Sequence, residues 1–486
     1  MKTLQPTVVR TRMAPSPTGE MHVGSLAMLL KNYAWAKRNQ GQFILRIEDT
    51  DKERELAGAV QEIQQVIHDY GLDWDEGPNK NGPYSPYIQS ERLEIYQQHA
   101  QELIKKGKAY YCFCSKERLE QMREDQRLNH RPPHYDQHCR HLSASEVEQK
   151  LANKLPYVIR LKVPAEETIT FTDLLRGEIS IQSNEVDDQI LIKSDGFPTY
   201  HFSVVVDDHL MKITHILRGE EWISSTPKHV LLYDAFGWDK PIFAHVPVFL
   251  NPDGKGKMSK RKGTVSARSF LDKGYLPEAM LNFFMILGWA RADQREIMTL
   301  DEYVNEFDPS DLSVKSVVFD LQKLNWLNGM YIRQLSSAEL KKRLDKFLPK
   351  DFPREKLDTI LPLVTERLIT LADIGELTDF FYKDVIVDRP AILKKADESL
   401  VSKQLKETIK ILTSLNNWNV ETIEKLIRGL QVEQDYHKGQ FFMMLRLAVT
   451  GKKATPPLFE TIAALGQSLT IQRLSQVLSV ITQEVL

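Results

Sequence analysis

Two short stretches of this chain have residue types and spacing suited to holding phosphate. The first is Pro15-Ser16-Pro17-Thr18-Gly19-Glu20-Met21-His22-Val23-Gly24-Ser25, immediately before a helical pattern that starts at Leu26. A helix N-terminus presents unpaired N–H groups and the positive end of the helix dipole, so it attracts an anion. His22 can donate a hydrogen bond to a phosphate oxygen, and Gly24, lacking a β-carbon, lets a flat base approach the backbone. The plainer alternative is a loop histidine followed by a glycine at a helix start. The second stretch is Lys257-Met258-Ser259-Lys260-Arg261. From Lys255 to Phe270 there are six basic residues and no acidic one, with Gly254, Gly256 and Gly263 to let the loop close as a clamp. Its plainer alternative is a solvated basic loop.

A third constellation gathers every cysteine in the chain: Cys112-x-Cys114, then 24 residues, then Cys139-x-His141. Three thiolates and one imidazole form a closed tetrahedral Zn²⁺ set, which leaves no open position and so points to structure rather than catalysis. The alternative is three reduced cysteines. Either way three cysteines cannot all pair with one another, which argues for a reducing compartment; cytoplasm is the expectation. The N-terminus lacks a basic segment leading into a continuous apolar core, so no secretory signal is expected.

The elements that must position these residues read as α/β. Val8 to Met13 is a strand, the Pro15–Gly19 turn breaks it, and Leu26, Leu29, Leu30, Tyr33 and Ala34 recur at helical spacing between Ser25 and Arg38. Phe43 to Ile47 returns to strand and ends in Glu48-Asp49-Thr50-Asp51. This is the opening of a parallel sheet. Residues 93–200 have a different character, with short strands at Tyr157–Val163 and Ile190–Lys193, and read as a domain inserted into that sheet. Sheet-like apolar runs resume at Phe202–Val206 and Ile213–Leu217, Ala279–Ala290 reads as a buried helix, and residues 336–486 are helical, as at Leu363–Ile374 and Leu458–Leu465. At 486 residues the chain should form three or more domains. Its 64 basic and 66 acidic residues give a net charge of −2, which neither marks nor excludes a polyanion partner, since only the contacted surface sets the phosphate term. No apolar run reaches the length of a membrane span.

Taken together, the two loops resemble the paired signatures of class I aminoacyl-tRNA synthetases. His22-Val23-Gly24-Ser25 is similar to the first and Lys257–Arg261 to the second, with arginine last in place of the commoner serine. Four further stretches resemble the bacterial glutamyl-tRNA synthetase family in order: Arg12 to Gly19, Arg46 to Asp51, Gly196 to His201, and Arg218 to Trp222. The resemblance implies a Rossmann-type catalytic domain over 1–92 and 201–254, an inserted α+β connective domain with the zinc site over 93–200, a signature-loop and stem-contact domain over 255–335, and an all-helical anticodon-binding region over 336–486. It implies ATP with Mg²⁺, L-glutamate and tRNA-Glu as partners, with tRNA-Gln also charged by some members, and a monomer.

By the same resemblance, His22, Lys257 and Lys260 act on the reacting phosphates, and Gly24, Ser25, Glu221 and Ser259 complete the ATP site. Arg12 and Arg218 hold the substrate's carboxylates, Glu48 its ammonium, and Ala14, Ser16 and Tyr200 line the same pocket. Arginine's planar fork suits carboxylates, and a cationic pocket rejects neutral glutamine. Val204 falls where some members carry a polar asparagine. Arg261 and the pair Thr455-Pro456 are the expected tRNA contacts; Thr-Pro is also a plain helix-start signal. Exposed arginines such as Arg367 and Arg446 are further candidates. Three other readings fit less well. A glutaminyl-tRNA synthetase would have a β-barrel C-terminal half. A truncated paralogue that modifies a tRNA base lacks that half, and an idle RNA-binding scaffold need not keep His22, Gly24, Lys257 and Lys260.

Overall fold

Strand β1 (Arg10–Met13) pairs in parallel with β2 (Gln42–Leu45), and helix α1 (Val23–Arg38) connects them, as the sequence pattern predicts. The computed structural model describes residues 8–80, 82–258, 266–289 and 293–482. These divide into two units, one within 1–272 and 277–324 and the other within 273–276 and 325–486. Among the described residues, no helix is long and apolar enough to cross a membrane.

In the first unit α2 (Ala59–Asp69) and α3 (Leu93–Lys105) lead into β3 (Ala109–Cys112), α4 (Lys116–Leu128), α5 (Ala144–Ala152) and β4 (Val158–Leu161). A hairpin of β5 (Thr168–Asp173) and β6 (Gly177–Gln182) follows, then β7 (Ile190–Ile192), α6 (Tyr200–Leu210), β8 (His215–Gly219), α7 (Thr226–Phe236) and β9 (Ile242–Val246). Strands β3, β4 and β7 form a small antiparallel sheet, and a second sheet runs β6-β5-β9-β8 with β8 and β9 parallel. The Thr214 N–H donates to the Arg10 carbonyl at 2.9 Å, which ties the start of β8 to β1. The result is an α/β core of parallel strand pairs with an antiparallel hairpin and a small antiparallel sheet attached.

One element differs in type from its sequence reading. Phe202–Val206, expected as a sheet-like run, lies inside helix α6, where Phe202, Ser203, Val204, Val205 and Val206 are all buried. A short apolar run buried on every side has no visible period, so helix and strand look alike in sequence. Two acidic residues at the end of this run decide the matter. Asp207 and Asp208 are 0% and 1% exposed, and consecutive helical positions aim them at different partners. Asp207 accepts from Arg92 Nε at 2.8 Å, Gln89 Nε2 at 2.9 Å and Tyr96 OH at 2.7 Å. Asp208 accepts from Arg46 Nη1 at 2.7 Å and Arg12 Nε at 3.2 Å. Arg46 also donates to Glu48 at 3.0 Å.

The second unit is helical. Its longer helices are Glu398–Thr413, Val420–Glu433, Lys438–Thr450 and Gln467–Thr482, with the shorter Leu458–Leu465 among them. The expected continuous helix over Leu363–Ile374 is interrupted: an α-helix ends at Val364, and 3₁₀ turns follow at Thr365–Arg367 and Leu371–Asp373. Thr370 makes a capping box with Asp373, which starts the second of these turns as a separate element.

Buried charge makes the first unit's core testable. Removing one partner of a buried, hydrogen-bonded ion pair strands the others, at a cost of about 3–5 kcal/mol. Asp207→Ala should therefore lower stability in equilibrium urea unfolding by about that amount, whereas an unchanged midpoint would show that the network does not hold α6 in place.

Candidate active site

One cleft of about 1170 Å³ in the first unit gathers most of the residues singled out in sequence. Arg12, Ala14, Ser16, Glu48, Tyr200 and Arg218 line it, and so do His22, Gly24, Ser25, Glu221 and Lys257. They arrive from β1 and the loop after it, the start of α1, the end of β2, the first turn of α6 and the end of β8, where strand ends converge as they do in other open α/β sheets.

Its chemistry is set by two buried arginines in contrasting states. Arg12, 5% exposed, is paired with Asp208, although the contacts are long at 3.2–3.4 Å. Arg218 is also 5% exposed, yet its partners among the described residues are neutral: His245 Nε2 at 3.0 Å, His229 Nδ1 at 3.2 Å and Thr226 Oγ1 at 2.8 Å. A guanidinium donates only, so both facing imidazole nitrogens must be acceptors. His229 then carries its proton on Nε2 and donates it to His201 Nδ1 at 3.0 Å. Burial pushes His229 and His201 below the usual histidine range, which keeps both neutral beside the cation. Burial likewise lowers the Arg218 pKa from its ordinary value. A buried cation held by lone pairs alone is an incomplete ion pair, and a carboxylate is its natural complement.

Glu48 supplies the opposite charge. It is buried, its N–H donates to the Pro15 carbonyl at 3.0 Å, and this contact sets the Ser16 loop beside it. Burial raises its carboxyl pKa to about 7, against the lowering effect of Arg46 and Arg12. Tyr200 packs on Trp222 with ring centroids 4.6 Å apart and closes one side of the cleft. Val204 is buried inside α6 and does not line the cleft. Lys31, which the sequence reading passed over, does line it from α1; it is 2% exposed, its ammonium lies 3.5 Å from the Phe284 carbonyl, and burial lowers its pKa to about 8.

His22 is the N-cap of α1, and its Nδ1 accepts the Gly24 N–H at 2.9 Å. The ring proton is then on Nε2, which makes that nitrogen a donor. A β-carbon at position 24 would lie 3.1 Å from His22 Nδ1, so glycine here makes room for the cap itself. At the second loop, Lys257 donates to Glu221 at 2.9 Å. The Asn251 side chain ties down the carbonyls of Lys255, Gly256 and Lys257, and Gly254 and Gly256 take φ values of 71° and 70°, which suit glycine. Ser259, Lys260 and Arg261 lie outside the described residues. Where the chain is described again, Ser266 makes a backbone bridge to His22.

The three cysteines converge at the end of β3, with ligand atoms within 4.8 Å of one another. The Cys114 and Cys139 sulfurs are 3.6 Å apart, near the edge of about 3.8 Å that a tetrahedron with metal–sulfur bonds of ~2.3 Å requires. His141, expected as the fourth ligand, is exposed and does not join the group. The hydroxyl of Tyr135 does: it lies 3.2 Å from the Cys112 sulfur and 3.3 Å from that of Cys114. Arg160 sits 3.9 Å over the Tyr135 ring, and Arg118 donates to Cys114 at 3.5 Å, so positive charge surrounds the cluster. No spacing rule for Cys and His points to a tyrosine four residues before Cys139.

In the second unit Thr455 and Pro456 are buried, and Arg446, half-buried rather than exposed, donates to Thr455 Oγ1 and to the Pro456 carbonyl at 2.7 Å. Thr455-Pro456 thus shapes the approach to helix Leu458–Leu465. Arg367 is exposed and close enough to Arg446 to lower its pKa further, after the larger effect of burial.

Residues 8–326 match the family of tRNA synthetases class I (E and Q), catalytic domain, and residues 339–478 match an anticodon binding domain. The glutamate–tRNA ligase of Dehalococcoides mccartyi is 45% identical over 97% of this chain and 98% of its own length. That of Finegoldia magna is 43% identical over 97% and 99%. Among solved structures, a glutamate tRNA ligase from Elizabethkingia meningosepticum, crystallised in complex with its amino acid, superposes with a TM-score of 0.88 at 35% identity, covering 98% of this chain and 100% of that one. Fold, cleft and relatives agree, and the chain belongs to the class I tRNA synthetases of the glutamate and glutamine (E and Q) family.

Proposed function

We propose that this chain activates L-glutamate with ATP and transfers it to the 3′ end of tRNA-Glu, releasing pyrophosphate and then AMP. The observation that supports it most directly is Arg218, a buried cation whose hydrogen-bond partners among the described residues are neutral, in a cleft that also contains Glu48. Glutamate is complementary to that pair: a carboxylate for Arg218 and an ammonium for Glu48. Arg12, loosely paired with Asp208, receives the second carboxylate. Glutamine would leave the guanidinium without an anion, a loss of the kind that binding sites discriminate strongly.

In this reading one oxygen of the glutamate α-carboxylate attacks the α-phosphorus of ATP. The nucleophile is already ionised, so no general base is needed, and catalysis is positioning plus charge stabilisation. The start of α1 and His22 Nε2–H face the phosphates, while Lys257 and Lys260 neutralise the departing pyrophosphate. Glu221, paired with Lys257, holds that lysine until ATP competes for it. Mg²⁺ accompanies ATP and shields its phosphates. In the second step a ribose hydroxyl of tRNA attacks the glutamyl carbonyl and AMP leaves. Arg367 and Arg446, neighbours in the helical unit, offer a basic spot for the anticodon arm.

Cys112, Cys114 and Cys139 are suited to hold a structural Zn²⁺, with the Tyr135 oxygen as the nearest fourth donor. The ion would cross-link the end of β3 to the segment around Cys139 without entering the reaction.

Attachment of radiolabelled glutamate and glutamine to tRNA-Glu and tRNA-Gln tests the whole assignment. Glutamate on tRNA-Glu is expected, and glutamine on tRNA-Gln would overturn the pocket reading. A second expectation concerns pH. Glu48 titrates near 7 and attracts an ammonium only when ionised, while free glutamate keeps the same charge between pH 6 and 8. The KM for glutamate should rise roughly tenfold from pH 8 to pH 6, and Glu48→Gln should raise KM and flatten that profile; a flat profile in the unaltered enzyme would remove Glu48 from the ammonium site. For the metal, Tyr135→Phe should weaken zinc retention against a chelator by about tenfold, and His141→Ala should leave it unchanged. The reverse result would restore His141 as ligand.

A further inference from the structure

A guanidinium that recognises a carboxylate through two parallel hydrogen bonds is useful only if its plane is fixed. In this chain the support for Arg218 can be followed two residues outward, to a carboxylate on a different strand pair. Arg218 Nε donates to His245 Nε2 at 3.0 Å. That nitrogen can accept only if the imidazole proton is on Nδ1, and Nδ1 lies 2.7 Å from Asp173 Oδ2. The same oxygen accepts the His245 backbone N–H at 3.0 Å, and Oδ1 takes the N–H groups of Leu175 and Arg176 at 3.0 and 3.1 Å. Both side chains are 0% exposed.

Asp173 occupies an unusual place. Alternation along β5 turns Ile169, Phe171 and Asp173 to the same buried side, and at the third of these positions an apolar residue would be ordinary. A buried carboxylate is costly unless it is fully hydrogen-bonded, and here four N–H groups meet its two oxygens. Knitting the hairpin to β9 would account for the two turn amides and the His245 backbone contact. It would not account for the imidazole contact, which matters only for what the other side of the ring does.

We infer that Asp173 and His245 are positioning residues for substrate recognition: Asp173 fixes the Nδ1–H tautomer of His245, whose Nε2 lone pair then holds Arg218 at the angle that meets a carboxylate. This rests on Arg218 being the carboxylate site proposed above. With the tautomer reversed, an imidazole N–H would face the guanidinium Nε–H with no acceptor between them; Thr226 Oγ1, 3.1 Å from His245 Nε2, could take the imidazole proton but leaves Arg218 Nε unanswered, and the arginine would turn away.

Steady-state aminoacylation of tRNA-Glu by the full-length enzyme separates this role from a structural one. In His245→Asn the side-chain amide replaces Nδ1 and keeps Asp173 satisfied, but the acceptor for Arg218 Nε is gone while His229 and Thr226 still accept from its Nη atoms. In His245→Gln the amide oxygen can reach the Nε2 position. The first variant should raise the KM for glutamate roughly ten- to a hundredfold while the KM for ATP moves by less than about twofold, and the second should recover most of the loss. Asp173→Asn, which removes one carboxylate oxygen, should shift the glutamate KM in the same direction and serves in place of His245→Asn if that chain does not fold. An unchanged glutamate KM, or a fall in kcat with both KM values unchanged, would overturn the inference. Arg218→Ala run alongside should itself raise the glutamate KM. If it does and His245→Asn does not, the relay fails and the pocket stands; if it does not, the pocket reading fails and the relay with it.

Discussion

The catalytic unit depends on how it neutralises charge where water cannot reach. Asp207 and Asp208, adjacent on α6, meet Arg92, Arg46 and Arg12 from three other segments, and Glu48 meets Arg46. Taking such groups out of water costs several kcal/mol each, so the arrangement is tolerable only when every member is in place. The same requirement fixes α6 against β1 and the end of β2. Because Tyr200 begins α6 and Glu48 follows β2, the core's charge balance also sets two walls of the cleft. Packing and substrate binding are here one constraint.

Against that background the state of Arg218 is informative. The other buried arginines around the cleft, Arg10, Arg12, Arg46 and Arg92, each meet a carboxylate, as Arg10 does with Glu76 at 2.8 and 2.9 Å. Arg218 is answered by two imidazoles and a hydroxyl, all neutral. Such an environment orients a cation without satisfying it. The free energy withheld from the folded protein is available on binding an anion of the right shape, and an amide in the same place recovers little of it.

Gly24 and the cysteine cluster show how one residue pattern can arise for more than one reason. Gly24 read as room for a base; the geometry shows that it also makes room for the His22 ring, whose Nδ1 caps the helix. The cysteine spacing read as three thiolates plus His141, whereas the oxygen of Tyr135 is the donor that approaches the sulfurs. Thr455-Pro456 stands just before helix Leu458–Leu465, with Arg446 folded onto it.

The sequence by itself determined the parts governed by local rules. A turn and a helical period placed α1 between two parallel strands, because backbone preference and hydrophobic period act over a few residues. The order and identity of the signature stretches were enough to bring Arg12, His22, Glu48, Tyr200, Arg218 and Lys257 together on paper, and they do line one cleft. Only the tertiary structure decided what depends on distant partners. It made Phe202–Val206 a helix, because Asp207 and Asp208 must reach arginines up to 196 residues away. It buried Lys31 in the cleft wall and aligned Asp173 behind His245 and Arg218, a chain drawn from three strands whose sequence spacing carries no periodic signal. Hydrogen-bond partners separated this far along the chain are chosen by the packing of whole elements, and no local pattern records them.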